Sequence, residues 1–431
     1  MDSQVDNSPL PGWISGLAAV ALLAPIVTYF GILAATSVNI PYLDDYDTIL
    51  GYLQADQTAG SLSQRLQLIL EPHVEHRLAF VRGIALLSVT TTDTVDFRLL
   101  AWWGNLGLLA LTGALFGAFR QREATTDRLL LFLPVSFLLF QPQAWDAWFW
   151  ATSSLSNLWV LPLALLTFIA LDRGSTRMLF LAFGLGAVTV VTQANGLLVL
   201  PIGCGILLLR RKSLAALVWA AFSILITVLY WQNLSLPSSS PTMNEIVSSL
   251  IPILHYAVNF LGSAAGFGNP IASFLAGILI ISSAVFFCIR GGRRNLPLLA
   301  LLALLISSAL LNAVAREYIR GPDYALEASR YRSYAAAVLA VTYLAWAESA
   351  WTFRQRQIAV AVALAIGVAF NTASYAAYLG KAQSVAKRLE QGLEQWENLG
   401  RGLRHPHPAQ ANDILAAAVR DGLYHPPLSS R

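Results

Sequence analysis

Three aspartates, Asp44, Asp45 and Asp47, crowd into Pro41-Tyr42-Leu43-Asp44-Asp45-Tyr46-Asp47, just after the first long apolar run of the chain. Carboxylates beside a hydrophobic stretch are costly to keep there unless they bind or react. Such a group can take the proton of an acceptor hydroxyl or hold a divalent cation. On a helix starting near Asp44, Asp44 and Asp47 share a face and Asp45 points elsewhere. A helix N-terminus would be answered by one acidic residue, with Asp44 as a plain cap. Three exceed that need, so the cluster is read as functional.

The same loop carries Glu71-Pro72-His73-Val74-Glu75-His76-Arg77. His73 and His76 are three apart and on a helix could share a metal ion with Glu71 or Glu75. The spacing is not that of His-Glu-x-x-His, and Pro72 suits a helix start better than a helix middle. The preferred reading is a hydrogen-bonded cluster that orders the loop and touches substrate through Glu75, His76 and Arg77. Further on, Arg316-Glu317-Tyr318-Ile319-Arg320-Gly321 leads to Ser329-Arg330-Tyr331-Arg332. Guanidinium grips phosphate through two parallel donors, and an anionic lipid head group would supply one. Arg330 ranks ahead of Arg316 for that task, with Tyr331 beside it; snorkelling to head groups is the competing reading. Finally, Gln141 to Trp150 holds three tryptophans around Asp146. Rings at a membrane boundary normally form an interfacial belt, but Trp145 with Asp146 could also line a sugar-binding face.

These groups need elements that hold them on one side of a membrane. Hydrophobic residues make up 56% of the 431 residues and charged ones 12%. Soluble domains carry about 25% charged residues, so the chain is expected to be an all-α multi-spanning membrane protein. Apolar runs bounded by charges predict eleven helices, near 14–35, 97–119, 129–141, 155–171, 178–192, 195–209, 214–231, 271–289, 296–314, 334–350 and 357–378. The pI near 9.1 is no nucleic-acid signal, because the Lys and Arg sit in short clusters beside apolar runs. Those clusters are Arg120/Arg122/Arg128, Arg173/Arg177, Arg210/Arg211/Lys212, Arg290/Arg293/Arg294 and Arg354/Arg356. All fall on one side, the cytoplasmic one, if the N-terminus is inside and 77–91 does not cross. The segment 77–91 is therefore read as a helix along the membrane surface.

The loops 36–96, 142–154, 193–195, 232–270 and 315–333 and the tail 379–431 then share the outer face. Surface helices are expected near 42–56 and 60–70. Residues 1–378 form the membrane domain and 379–431 an outer helical cap, whose Val385, Leu389, Leu393 and Trp396 fall at helical spacing. The leader, Met1 to Pro11, has no Lys or Arg, and the first run is long enough to span, so a cleavable signal is not expected. Cys204 and Cys288 lie in spans and read as small buried hydrophobes.

The arrangement resembles the GT-C superfamily, integral-membrane glycosyltransferases that use polyprenyl-phosphate-linked sugars. More narrowly, Asp44-Asp45-Tyr46-Asp47 with Glu75-His76-Arg77 is similar to the "DDWD … NEHR" pattern of a group of bacterial multi-spanning proteins. Arg316, Gly321 and Ser329-Arg330-Tyr331 are similar to their "GR … G … SRY" loop. Here Tyr46 replaces the usual Trp and Val74 the usual Asn. The resemblance, which covers 36–333 by topology, implies a bacterial inner-membrane enzyme with its active site facing the periplasm. It implies a catalytic base at Asp44 or Asp45, a lipid-phosphate sugar donor and a cell-envelope acceptor, whether glycan, lipid or secreted protein such as pilin. Some superfamily members use Mg or Mn; Asp44, Asp45 and Asp146 are the candidate oxygen ligands. The alternatives are a lipid-linked oligosaccharide polymerase or ligase, which would place arginines on separate outer loops, and a transporter, which would carry charges within its spans.

Overall fold

The computed structural model describes residues 12–120, 125–234, 240–290, 295–348 and 353–427. The leader, Arg122, Arg293 and Arg294 lie outside the described residues, as do the side chains of Arg290, Arg354 and Arg356. All eleven apolar stretches are helical: α1 Gly12–Thr36, then, after the first loop, α5 Phe97–Ala118, α6 Thr125–Leu139, α7 Ala151–Arg173, α8 Thr176–Val190, α9 Val199–Leu209, α10 Ser213–Trp231, α13 Pro270–Arg290, α14 Leu296–Arg320, α16 Arg332–Ala347 and α17 Phe353–Leu399. The first loop contains a π-helical turn Tyr46–Gly51 running into α2 Tyr52–Thr58, then α3 Leu62–Leu70, a hairpin of β1 Pro72–His73 and β2 His76–Arg77, and α4 Ala79–Thr92. The remaining elements are α11 Met243–Ser248, α12 Leu250–Gly262, α15 Tyr324–Glu327 and α18 Pro408–Arg420.

Length and apolar composition suffice to cross a membrane in seven of the described helices, α1, α5, α7, α10, α13, α14 and α17. Helix α6 and the 3-10 turn Pro142–Trp148, bent by 61°, pass the same test only as a pair, as a broken span or a re-entrant loop. The chain is thus a multi-pass all-α membrane protein. The other stretches counted among the eleven, α8, α9 with its leading 3-10 turn, and α16, are shorter helices. The outer loop 232–270 holds α11 and α12. Gly262 and Gly277 let α12 and α13 touch: a Cβ at Gly262 would lie 1.9 Å from Ser273 O.

Helix α7 is the hub, buried against α5, α8, α9 and α14. Backbone groups freed where α6 breaks are met by side chains, as they must be away from water. Asn371 Nδ2 donates to Phe137 O and Phe140 O at 2.8 and 2.9 Å. Asn105 Nδ2 donates to Ala147 O at 2.8 Å and its Oδ1 accepts from Tyr29 Oη at 2.6 Å, which fixes the 3-10 turn to α1 and α5.

The helix ends sort into two groups. At one end, the Asp172 carboxylate on α7 takes both Arg120 and Arg210, and Lys212 Nζ reaches Gly174 O at 3.0 Å. Glu348 Oε1 accepts from Arg120 N and Asn295 Nδ2 there, at 2.6 and 2.7 Å. Of the predicted basic clusters, Arg120, Arg210 and Lys212 therefore converge. At the opposite end, Asn39 Oδ1, just past α1, accepts from Phe97 N, the first residue of α5, at 2.8 Å. The loop 37–96 leaves and returns at that same end, so α4 does not traverse the bundle. The tail departs from the expected boundary at 378, because α17 continues unbroken from its apolar part to Leu399. Val385, Leu389 and Leu393 are buried as their spacing predicts. Beyond them the chain folds back over the first loop, where α18 packs on the π-helical turn, and Val95 pairs with Tyr424.

Candidate functional site

The end opposite Asp172 encloses a cavity of about 330 Å³. The first loop, the start of α7, the α8–α9 turn and the ends of α10 and α14 line it, together with the residues before α16. Leu43 adopts φ +49 while its N–H is held by Arg404 O at 3.0 Å, and this turn aims the two following aspartates apart. Asp44 lines the cavity with His73 Nε2 4.0 Å from its carboxylate. Burial pushes the Asp44 carboxyl above its ordinary range, against the pull of His73 and Arg330.

Asp45 does something else. It is fully buried and absent from the cavity wall. Its carboxylate accepts from Thr152 N and Thr152 Oγ1 at 2.8 and 2.7 Å, and from Ala151 N and Tyr42 N at 3.2 Å. It therefore caps α7 from a different element, taking the first free N–H groups of that helix. Burial raises its carboxyl to about 7 despite those four donors. Of the two candidates for a base, only Asp44 can meet a substrate. Asp47 is not a cavity residue either: it accepts from Gln410 Nε2 at 2.7 Å and meets His405 Nε2 at 2.8 Å, which ties the tail to the first loop.

The segment 71–77 folds as a hairpin, not as the helix that shared metal ligation would need. His73 and His76 face each other across its register, and Val74 at the turn has φ +52. A β-branched residue is strained there, whereas Asn adopts that region more readily. Glu75 and His76 line the cavity. The Glu75 carboxylate ion-pairs with Arg316 from the end of α14, and His76 Nε2 lies 3.5 Å from Glu75. Burial lowers His76 to about 4, so its ring is neutral near pH 7 although Glu75 acts the other way. Arg77 was expected at the substrate, but its guanidinium is spent on backbone. It donates to Tyr230 O at 2.8 Å and to the Leu70 and Gln232 carbonyls, closing the ends of α3 and α10. Arg82 Nη1 does the same for α3 through Leu68 O at 2.9 Å. Cations at helix C-termini satisfy orphan carbonyls.

Arg330 lies in an aromatic cage on the cavity wall. Its guanidinium stacks 4.6 Å from the Tyr331 ring centre and 5.3 Å from that of Trp150, and donates to Tyr324 Oη and Tyr331 Oη at 3.1 and 3.2 Å. Among the described residues no carboxylate ion-pairs with it. Asp146, buried just behind, accepts the Arg330 backbone N–H at 3.0 Å and so positions the arginine rather than touching the cavity. Trp145 also stays outside; Trp150 is the ring from that motif that lines the cavity. Arg316 and Tyr331 line it as expected.

The sequence reading missed the polar floor. Thr152, Ser153, Ser156 and Asn157 lie on the first two turns of α7, with Gln193 and Asn195 opposite and Ser308, Asn312 and Tyr334 beside them. These are neutral residues within or against apolar runs, and spacing along α7 (153, 156, 157) was the one available signal. Asp44, Asp45 and Asp146 do not converge as a ligand set, since only Asp44 reaches the cavity. Among the described residues no group of three or more His, Cys, Asp or Glu is arranged to hold a metal ion. Comparison with family models, curated proteins and solved structures finds no match for this chain.

Proposed function

We propose that this chain is a GT-C-type glycosyltransferase that moves a sugar from a polyprenyl-phosphate carrier to a hydroxyl of a cell-envelope acceptor. The observation that carries the reading is one cavity with a partly buried carboxylate, Asp44, and a caged guanidinium, Arg330, that forms no ion pair with a described carboxylate. A caged guanidinium whose donors are not taken up by a carboxylate is suited to an anion such as a lipid phosphate. In the reaction, the acceptor oxygen bonds to the anomeric carbon and its proton passes to Asp44. The bond from that carbon to the phosphate oxygen breaks, and its electron pair leaves on the polyprenyl phosphate, next to Arg330 and Arg316. The configuration inverts. Raising the carboxyl above its ordinary range makes Asp44 a stronger base once ionised.

The finer topology is part of the same proposal: eleven spans, a cytoplasmic N-terminus, and the cavity on the periplasmic face of a bacterial inner membrane. The convergence of Arg120, Arg210 and Lys212 at the opposite end supports it through the positive-inside rule. The test is mass spectrometry of cell-surface glycans, lipids and glycoproteins with the wild-type gene, with a deletion, and with Asp44→Asn. A single missing sugar in both the deletion and the variant is expected. Identical envelopes in all three strains would overturn the reading.

A further inference from the structure

The amides of the cavity floor have a fixed polarity. Asn157 Nδ2 donates to the backbone oxygen of Ser153 at 3.0 Å, and a backbone carbonyl can only accept. Asn157 Oδ1 must then face the other way as an acceptor. Gln193 Nε2 donates to it at 3.2 Å and Tyr334 Oη at 3.4 Å. The Tyr334 proton is thereby used, so its oxygen accepts from Asn195 Nδ2 at 3.0 Å; that amide also donates to Ser308 Oγ at 3.1 Å. One carbonyl thus orients the whole chain of hydrogen bonds, which leaves both remaining amide oxygens as acceptors. Gln193 Oε1 and Asn195 Oδ1 are buried and have no protein partner, although both residues belong to the cavity wall. Buried acceptors without donors are rare and call for one.

We infer that this floor is a subsite for a neutral, hydroxyl-rich sugar ring, with Gln193 and Asn195 as the residues that select it. Hydroxyl groups bring the donors these two oxygens lack. A sugar carboxylate brings only acceptors, and none of the floor side chains is a cation that could receive it. The sugar of the donor is therefore a neutral hexose or pentose rather than a uronic acid. This deepens the proposed function and rests on it, since it assumes that a sugar enters on a lipid phosphate.

The experiment measures dissociation constants of the full-length protein in nanodiscs for three probes: undecaprenyl phosphate, its phosphodiester with a neutral hexose and its phosphodiester with a uronic acid. The hexosyl ester should bind about tenfold or more tighter than the bare lipid phosphate, and the uronosyl ester should lose that gain. Gln193→Leu and Asn195→Leu should each erase most of the gain while leaving undecaprenyl phosphate binding as in the wild type. If lipid phosphate binds but the hexose adds nothing, or the uronosyl ester binds as tightly as the hexosyl one, the subsite is refuted and the proposed function stands. If none of the three lipids binds, the proposed function fails and the subsite falls with it. The wild-type panel alone decides, whatever the folding of the variants.

Discussion

Replacing Asp45 by alanine should cost stability, whereas replacing Asp44 by asparagine should not. In Asp45→Ala, four donors lose their acceptor. The Thr152 hydroxyl can turn to Thr48 Oγ1, 2.6 Å away, so its loss is small. The N–H groups of Ala151, Thr152 and Tyr42 have no such recourse, and Ala151 and Thr152 are buried. At about 1–3 kcal/mol per buried unpaired donor, the expected loss is about 3–5 kcal/mol. For a chain of this length that lowers the unfolding midpoint by roughly 1 °C per kcal/mol. The assay is thermal unfolding of purified protein in detergent at pH 7, comparing wild type, Asp45→Ala and Asp44→Asn. The pH dependence adds a second readout. The folded Asp45 carboxyl sits at about 7 against 3.8 in the unfolded chain, so the fold holds this proton more tightly. That contribution is complete below about 3.8 and fades as pH rises through about 7, a window over which a few kcal/mol is at stake. Asp45→Asn should flatten that slope, because it mimics the neutral carboxyl. An Asp45→Ala protein with the wild-type midpoint would refute the capping role and return Asp45 to the chemistry.

Asp44→Asn should lower transfer about 10²-fold or more, the usual worth of a general base, with the midpoint unchanged; full activity would remove Asp44 from the mechanism. Because Asp44 acts only when ionised and burial raises its carboxyl, the acid limb of the wild-type rate profile should lie above 3.8, and a limb at or below that value would contradict the geometry. Arg330→Ala should weaken binding of undecaprenyl phosphate in nanodiscs, and Arg330→Lys should restore it only in part, since a lysine keeps the charge but not the planar fork stacked between Trp150 and Tyr331; unchanged affinity in both would discard the phosphate site. Val74→Asn should raise stability by about 1 kcal/mol by relieving the left-handed strain at the hairpin turn, where the valine is half exposed and has little packing to lose; a lower unfolding midpoint would show that the valine is held by contacts. Alkaline phosphatase fused after Thr92 or after Pro427 should be active and after Arg211 inactive; activity after Arg211 would invert the sidedness.

Helix positions were legible because composition and period are strong signals in apolar runs, and each of the eleven stretches is helical. The first loop was legible in part: α2 and α3 fall where they were expected, but the hairpin was not foreseen, because two-residue strands carry no period. Helix α12 was missed for a different reason. Its Leu250, Ile251 and Leu254 are exposed while Ile253, Tyr256 and Phe260 are buried, and a run of that length signals neither a span nor a loop. Continuity of α17 past residue 378 was hidden by the switch from apolar to polar composition, which changes what surrounds a helix without ending it. The floor of the cavity was hidden because Gln, Asn and Ser within apolar runs read as tolerated polar residues until their partners are known.

The charged motifs were legible as a group but not residue by residue, and the reason is physical. A reactive charge held in a fixed place needs a neighbour that fixes the backbone. In each motif the two kinds of residue lie within two positions of each other in sequence. Asp44 faces the cavity while Asp45 anchors the turn to α7. Glu75 and His76 face it while Arg77 clamps three carbonyls. Arg330 faces it while Arg332 donates to Leu326 O at 2.7 Å and holds the loop before α16. Sequence alone shows charged or titratable residues close together with equal claim to the chemistry. Hydrogen bonding divides them: the anchoring member bonds to backbone groups that would otherwise be left unpaired in the interior. The facing member keeps its capacity for whatever enters. The density of charge beside apolar runs therefore marks where a site is held, and only the hydrogen-bond partners tell which half of each pair acts in it.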